Sequence, residues 1–175
     1  MPEAPLLRQL PYAGKLILRG SPEVRERAGT VLGFPLPGRP LTATGGEGAE
    51  ALWLGPDEWL LLVPAASVDA VEAALRMELA GLHHALVAVG ERFVGLAIEG
   101  DQAADILNAG CPLDLHPRAF PPGISTRTLL AKAEIVLHRP EDGNSFRLYA
   151  GRSFAAYVWR YLEAAGREHG LRTAA

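Results

Sequence analysis

The chain is poor in cysteine, in net charge and in long apolar runs, and each scarcity excludes a class of protein. Its single cysteine, Cys111, cannot form a disulfide within the chain, which favours a reducing compartment. The 17 basic and 20 acidic residues leave a formal net charge of -3, without the basic excess of nucleic-acid-binding domains. No segment approaches the ~20 consecutive apolar residues that span a bilayer. Met1–Leu10 also lacks the basic and apolar regions of a signal peptide. We therefore expect a cytoplasmic protein that binds neither nucleic acid nor a membrane.

The common catalytic signatures are missing as well. The sequence contains no C-x-x-C, H-E-x-x-H, G-x-S-x-G or G-x-G-x-x-G motif and no Walker-type phosphate loop. We therefore expect no catalytic, cofactor-binding or metal-binding residue in this chain.

What the sequence does contain is an alternation of strand and helix patterns. Ser21 and Pro22 mark a helix start and Gly33 its end. Apolar residues recur at three- and four-residue intervals from Ser67 to Leu82, which predicts an amphipathic helix. A further helix is expected from the cap Ser153. The predicted strands are Lys15–Arg19, Ala51–Leu54, Glu58–Val63, His84–Val89, Arg92–Ile98, two within Thr128–Leu137, and Phe146–Ala150.

The second half of the chain repeats the first. The strand, glycine and helix cap of Leu18–Ser21 recur at Ile98–Asp101, and the hairpin of Leu52–Leu61 aligns with Thr128–Leu137. We predict an α+β fold of two tandem βαββαβ-like (split βαβ) repeats, with antiparallel or mixed sheets and helices packed on them. The second repeat lacks a clear final strand. The predicted parts are an N-terminal extension (1–14), a first repeat (15–90), a second repeat (91–166) and a C-terminal tail (167–175), which together make one compact folding unit.

The strand Glu58–Val63 is apolar on both faces. We therefore expect helices to cover one face and a second layer to cover the other. The second repeat and a partner subunit are the two candidate covers.

Several residues are of types that occur in catalytic or metal-binding sites. For most of them we favour a structural role. Cys111 would need a histidine base, for which His116 is the nearest candidate; we favour a buried residue at a helix exit. The remaining histidines lack the spacing of zinc ligands: His83, His84, His138 and His169. Asp57 and Glu58 are typical of a turn rather than of paired catalytic carboxylates.

Two further features concern a loop and the tryptophans. Thr44–Gly48 is glycine-rich but precedes a predicted strand rather than a helix, so we predict a flexible loop instead of a phosphate cradle. Trp53 and Trp59 are expected in the core. On the last helix, Phe154, Tyr157, Val158, Tyr161 and Leu162 share one face and Trp159 lies beside it. The apolar surface of this helix is therefore wider than one core needs. The additional apolar surface either binds a partner or lies at the margin of the core.

One run of residues resembles a known family. Gly110–His116, followed by Ala119–Gly123 and Thr126–Ala133, resembles the central motif of sarcosine oxidase gamma subunits. Leu54–Leu61 resembles the first-repeat hairpin of that family, and the last strand and helix start are similar at Phe146–Tyr149 and Gly151–Phe154.

The resemblance implies an accessory gamma subunit without chemistry of its own. Its partners would be the alpha, beta and delta subunits of a heterotetrameric flavoenzyme that oxidises sarcosine to glycine, makes hydrogen peroxide and passes the one-carbon unit to tetrahydrofolate. FAD, FMN, NAD, zinc and tetrahydrofolate would belong to the partner subunits. The implied fold is similar to the folate-binding domain of the glycine-cleavage aminomethyltransferase.

Two alternatives remain open. A stand-alone folate-binding or aminomethyltransferase-like protein would bind a pterin itself, with Asp114 as the residue to suspect. A free-standing interaction domain of an unrelated pathway is the other.

Overall fold

A computed structural model describes residues 4–143 and 145–174, which form strands and helices in alternation. Their contacts divide the chain into two compact units: the first unit, Tyr12–Gly90, and the second unit, which comprises the described residues on either side of it. In chain order the elements are β1 (Leu6–Gln9), β2 (Ala13–Gly20), α1 (Pro22–Leu32), β3 (Ala43–Gly46), β4 (Ala49–Gly55), β5 (Glu58–Pro64), α2 (Val68–Glu78), β6 (His84–Ala88), β7 (Phe93–Glu99), α3 (Ala103–Asn108), β8 (Ser125–Leu130), β9 (Ala133–His138), β10 (Ser145–Gly151), α4 (Ala155–Ala165) and β11 (Arg172–Ala174).

The two units repeat the same order of elements. The sheet of the first unit has the order β3-β4-β5-β2-β6 and is antiparallel throughout. The sheet of the second unit has the order β8-β9-β10-β7-β1-β11, in which only the β1–β11 pair is parallel. Without β1, both sheets place their strands in the same sequence. The predicted α+β class and the internal duplication are therefore confirmed.

Helix α1 shows how local sequence sets the ends of an element. The Ser21 hydroxyl accepts a hydrogen bond from the Val24 N–H (3.4 Å), and Pro22 begins the helix, where its missing N–H costs nothing. Gly33 ends the helix at φ 79°, a left-handed conformation that glycine adopts without strain. Both predicted ends of this helix are correct.

The core of the first unit lies between its sheet and its two helices. Leu75 and Leu79 on the α2 side are fully buried against Trp59 and Leu61 of β5 and their neighbours. Each such aliphatic side chain contributes roughly 1.5–3 kcal/mol by leaving water. Leu60, on the opposite face of β5, is also fully buried, so the expectation that both faces of this strand are covered is confirmed.

The second unit builds an equivalent core under α3 and α4. Ile106 and Leu107 of α3 and Val158 and Leu162 of α4 are fully buried. They pack with apolar residues of β7, β9 and β10, and Leu7 of β1 joins the same cluster.

Strand β3 corrects the prediction of a flexible loop at Thr44–Gly48. Gly46 and Ala49 pair across a two-residue turn in which Glu47 (φ 45°) and Gly48 (φ 83°) are both left-handed. Two positive φ angles give the type I′ turn whose twist matches an antiparallel hairpin. The glycine-rich composition therefore forms a tight hairpin.

The chain ends also differ from the prediction. β1 lies within the stretch expected to be an extension, and β11 within the stretch expected to be a tail. β11 is the final strand that was not predicted for the second repeat. It was missed because three exposed residues carry no hydrophobic alternation. The repeat boundaries at 15–90 and 91–166 stay a prediction.

Two predicted helix starts and one helix end are wrong. α3 begins at Ala103 without a side-chain cap, so Asp101 does not cap it. α4 follows a short 3-10 helix, Arg152–Phe154, and Ser153 makes no capping hydrogen bond. Helix α2 ends at Glu78 rather than near Leu82, because the chain turns through Gly81 at φ 84°.

The hairpin alignment within the repeat is also corrected. By sheet position, the β8–β9 hairpin matches β3–β4, not β4–β5 as the sequence alignment of Thr128–Leu137 with Leu52–Leu61 proposed. Both stretches are short and leucine-rich, so they align in sequence without occupying equivalent places in the fold.

Candidate functional site

Cys111 and His116 occupy different environments. Cys111 is buried in the core of the second unit, with its Sγ 3.9 Å from the Thr128 hydroxyl. The exposed His116 belongs to a turn, in which its backbone N–H donates to the Asp114 carboxylate (2.9 Å) and its ring Nδ1 accepts from the Arg118 N–H (3.2 Å). No hydrogen bond joins the thiol to this imidazole in the described residues. A thiol surrounded by apolar side chains is inert, so the geometry favours the structural interpretation of Cys111.

Three of the other histidines, His84, His138 and His169, make local contacts. The ring Nδ1 of the buried His138 lies 3.0 Å from the Ile124 carbonyl oxygen, and that of His84 lies 2.9 Å from the Leu82 carbonyl oxygen. His169 lies 3.7 Å from Glu168. Within residues 4–143 and 145–174, no three His, Cys, Asp or Glu side chains cluster closely enough to hold a metal ion.

Asp57 and Asp114 both act in turns. The Asp57 carboxylate lies 3.3 Å from the Arg19 guanidinium, and its backbone carbonyl accepts from the Gly20 N–H. The Asp114 carboxylate accepts from a backbone N–H two residues later, the pattern of an Asx turn. Neither arrangement resembles a carboxylate pair for acid/base catalysis, which would place two carboxyl groups on one reacting atom.

The glycine-rich hairpin and the first two tryptophans have structural contacts. The Thr44 hydroxyl donates to the Pro35 carbonyl (2.6 Å), and the Trp59 indole N–H donates to the Pro37 carbonyl (2.8 Å). Both bonds tie the proline-rich loop to the sheet. Trp59 is 1% exposed, whereas Trp53, its partner across β4–β5, is half-buried.

The structure also brings together a polar groove that the sequence analysis did not predict. It lies in the second unit and has a volume of about 850 Å³. One wall is lined by Asp101, in the turn before α3, and by Asp105 and Asn108 of α3, which share one face of the helix because they are three residues apart. Three arginines and four other polar residues line most of the rest: Arg8, Glu99, His116, Arg139, Asp142, Ser145 and Arg147.

The positive groups of this groove are already engaged. Arg8 contacts Glu99 through both Nε (2.9 Å) and a terminal nitrogen (2.7 Å). Arg139 donates to the carbonyl oxygens of Phe120 (2.7 Å) and Gly143 (3.1 Å). These contacts fix the walls of the groove. Only the three-residue spacing of Asp105 and Asn108 on α3 was visible in the sequence.

The exposed side of α4, together with Phe154 at the end of the 3-10 helix before it, forms a second surface. Phe154 and Tyr157 are 46% and 38% exposed. Their ring centroids are 6.4 Å apart, and the Tyr157 and Tyr161 centroids are 6.3 Å apart. We call these three residues the α4 aromatic ladder. Trp159 and Tyr161 both pack against the core of the second unit, so the apolar surface of α4 is exposed at Phe154 and Tyr157 and lies at the core margin at Trp159 and Tyr161.

In the part of the chain that the structure describes, no helix has the length and apolar character needed to cross a membrane.

Comparisons with known proteins agree over nearly the whole chain. Residues 22–168 match the family model described as "Sarcosine oxidase, gamma subunit family". The chain is 33% identical over 161 residues to the sarcosine oxidase subunit gamma of Corynebacterium sp. (strain U-96), which covers 89% of this chain and 76% of that one.

Two solved structures are similar in fold. A chain of the heterotetrameric sarcosine oxidase from Corynebacterium sp. U-96, in complex with pyrrole 2-carboxylate, gives a TM-score of 0.87 at 29% identity and covers 97% of this chain and 87% of that chain. The glycine cleavage system aminomethyltransferase T from Bartonella henselae gives a TM-score of 0.71 at 15% identity, covering 98% of this chain and 48% of that one. The second match shows a shared fold alone.

Proposed function

We propose, because the chain belongs to the sarcosine oxidase gamma subunit family, that it is a non-catalytic accessory subunit of a heterotetrameric sarcosine oxidase. The observation that carries this proposal is the superposition of 97% of the chain, at a TM-score of 0.87, on a chain of such a heterotetramer. The resemblance stated from Gly110–Ala133 is confirmed by the family match over residues 22–168.

The partners in this proposal are the alpha, beta and delta subunits. They would hold FAD, FMN, NAD and zinc, and they would bind tetrahydrofolate as the one-carbon acceptor. The flavin would accept the electrons removed from the N-methyl group of sarcosine, and oxygen would then be reduced to hydrogen peroxide. We place the assembly in the cytoplasm.

The contacts of the nucleophilic and acid/base side chains support an accessory role. Cys111 belongs to an apolar core, while His116 and Asp114 are used in a turn. Catalysis by a nucleophile requires a base within hydrogen-bond reach, and acid/base catalysis requires a group aimed at a reacting atom. The contacts of these residues stabilise local structure instead.

Co-expression with the remaining oxidase subunits tests the proposal. We expect the tagged chain to purify with them in a stable complex that oxidises sarcosine and shows a flavin spectrum. Purified alone, the chain should be colourless and should make no peroxide from sarcosine. A yellow isolated chain with oxidase activity, or a wild-type chain that assembles with none of the subunits, would overturn the proposal.

A folate-binding protein is the second candidate, and the polar groove of the second unit is the observation that favours it. The same isolated chain can be titrated calorimetrically with tetrahydrofolate. Saturable binding at micromolar ligand would favour this candidate and count against a purely accessory role.

A further inference from the structure

Because the two units repeat the same order of elements, each surface residue of α4 can be compared with the equivalent residue of α2. In each unit a seven-residue strand leads into a three-residue 3-10 helix and then an eleven-residue α-helix: β5, Ala65–Ser67 and α2 in one, β10, Arg152–Phe154 and α4 in the other. The two segments therefore align without a gap. Val71 and Leu75 of α2 match Val158 and Leu162 of α4, and all four pack against the core of their own unit.

The α4 aromatic ladder has no counterpart in α2. The positions of Phe154, Tyr157 and Tyr161 are occupied in the first unit by three small residues: Ser67, Ala70 and Ala74. The same strand–helix packing is therefore achieved without aromatic side chains. Phe154 and Tyr157 stay 46% and 38% exposed, so packing does not require their rings, whereas Tyr161 packs partly against the core of the second unit.

The helix face centred on Tyr157 carries a single charged residue, Arg160. Residues three, four and seven positions from Tyr157 lie within about 60° of it on a helix, and they include Arg160 but no carboxylate. That face consists of Ser153, Phe154, Tyr157, Arg160, Tyr161 and Ala164. Arg160 is exposed and forms no ion pair with any residue in the described ranges. On α2, by contrast, Arg76 lies 2.6 Å from the Glu72 carboxylate.

We propose that this α4 face is a docking surface for another subunit of the oxidase, which presents an apolar groove for Phe154 and Tyr157 and a carboxylate for Arg160. The inference rests on the proposed function, since it names the surface through which the accessory subunit assembles. Charge complementarity selects the occupant: Arg160, which pairs with no carboxylate among residues 4–143 and 145–174, lies beside exposed rings, and this combination fits an acidic, apolar partner surface.

The composition and size of the face agree with the centre of an interface. Tyrosine and arginine are enriched among residues that dominate binding energy, usually near the middle of the contact. With these exposed fractions, the side chains of Phe154 and Tyr157 each present on the order of 80–100 Å² of accessible surface. A standard interface buries roughly 800 Å² per partner. The ladder would therefore anchor a larger contact. The hydrogen bond from the Tyr161 hydroxyl to the Ala109 carbonyl (2.8 Å) fixes one end of it.

A competition experiment tests the surface in the assembled complex. Wild-type and variant chains with different tags are co-expressed with the remaining oxidase subunits, and their ratio in the purified complex is divided by their ratio in the soluble fraction. We expect Tyr157→Ala and Arg160→Glu each to be under-represented by about tenfold or more. Arg160→Lys should retain most of its share, because it keeps the charge.

Matched controls come from the first unit. Met77→Ala removes an apolar side chain that is 80% exposed on α2, and Arg39→Glu makes the same charge change as Arg160→Glu at an exposed loop position. Both should enter the complex at the wild-type ratio. Melting temperatures of the isolated variants should match the wild type, which separates lost docking from lost folding.

The outcomes are distinguishable. If the wild-type chain enters the complex and Tyr157→Ala and Arg160→Glu enter it equally well, the docking surface is wrong. The accessory role would then stay intact. A wild-type chain that enters no complex would overturn both. An isolated chain that dimerises, and loses its dimer on Tyr157→Ala, would assign the face to a second copy and overturn the heteromeric occupant.

Discussion

At the scale of single residues, two buried polar side chains, those of Trp59 and His138, pair with backbone carbonyls. Trp59 donates its indole N–H to Pro37, and His138 lies within hydrogen-bond distance of the Ile124 carbonyl. Leaving a buried donor without an acceptor lowers the free energy of unfolding by about 1–3 kcal/mol. These bonds therefore fix loops that have no regular structure of their own. The sequence indicated that Trp59 is buried, but not which carbonyl it would meet.

Trp59→Phe tests this role. The substitution removes the donor, leaves the Pro37 carbonyl unpaired and opens a small cavity, so we expect the free energy of unfolding to fall by about 2–4 kcal/mol in urea denaturation. Trp53→Phe is the control: its side chain is half-buried and makes no hydrogen bond in the described part of the chain. We expect a loss below about 1 kcal/mol there. Equal losses for the two variants would contradict the importance of the indole hydrogen bond.

At the scale of elements, two helices that were both predicted to begin at a serine cap begin in different ways. α1 begins at a serine whose hydroxyl caps Val24, while α4 begins after a 3-10 turn in which Ser153 caps nothing. A serine, proline and acidic residue in succession predicted the first start correctly. Ser153 alone was an insufficient signal, because a cap requires extended backbone at the serine and the 3-10 turn does not supply it.

Alanine substitution of both serines tests this difference. Ser21→Ala should lower the free energy of unfolding by about 1 kcal/mol, since it removes the acceptor at the α1 N-terminus. Ser153→Ala should change it by less than about 0.3 kcal/mol, because alanine lacks only a hydroxyl that makes no cap. Denaturant midpoints of the two isolated variants provide the comparison. A larger loss for Ser153→Ala than for Ser21→Ala would refute the capping assignment.

At the scale of the whole molecule, the second unit is closed by residues from both ends of the chain. β1 pairs with β7 on one side and with β11 on the other, with Leu7 fully buried between them. Leu6 pairs with Glu99 and with Arg172, so this sheet depends on contacts between residues very distant in sequence. Long-range pairing of this kind has no local signature.

Removal of residues 1–11 tests the contribution of β1. The truncated chain exposes the edge of β7 and loses the burial of Leu7, so we expect amide hydrogens of β7 to lose most of their exchange protection. Amides of β5, in the first unit, serve as the internal control and should stay protected longer. Unchanged protection of β7 after truncation would mean that β1 adds little to the sheet.

The sequence by itself determined the α+β class, the ends of α1, the buried strand β5, the amphipathic face of α2 and the family of the chain. Each of these depends on residues within one or two turns of each other or on a continuous motif such as Gly110–Ala133. Only the tertiary structure decided the place of β1 and β11, the polar groove and the exposure of the α4 aromatic ladder. The physical reason is distance along the chain: Arg8 meets Glu99 across 91 positions, and the exposure of Tyr157 depends on which elements surround its helix.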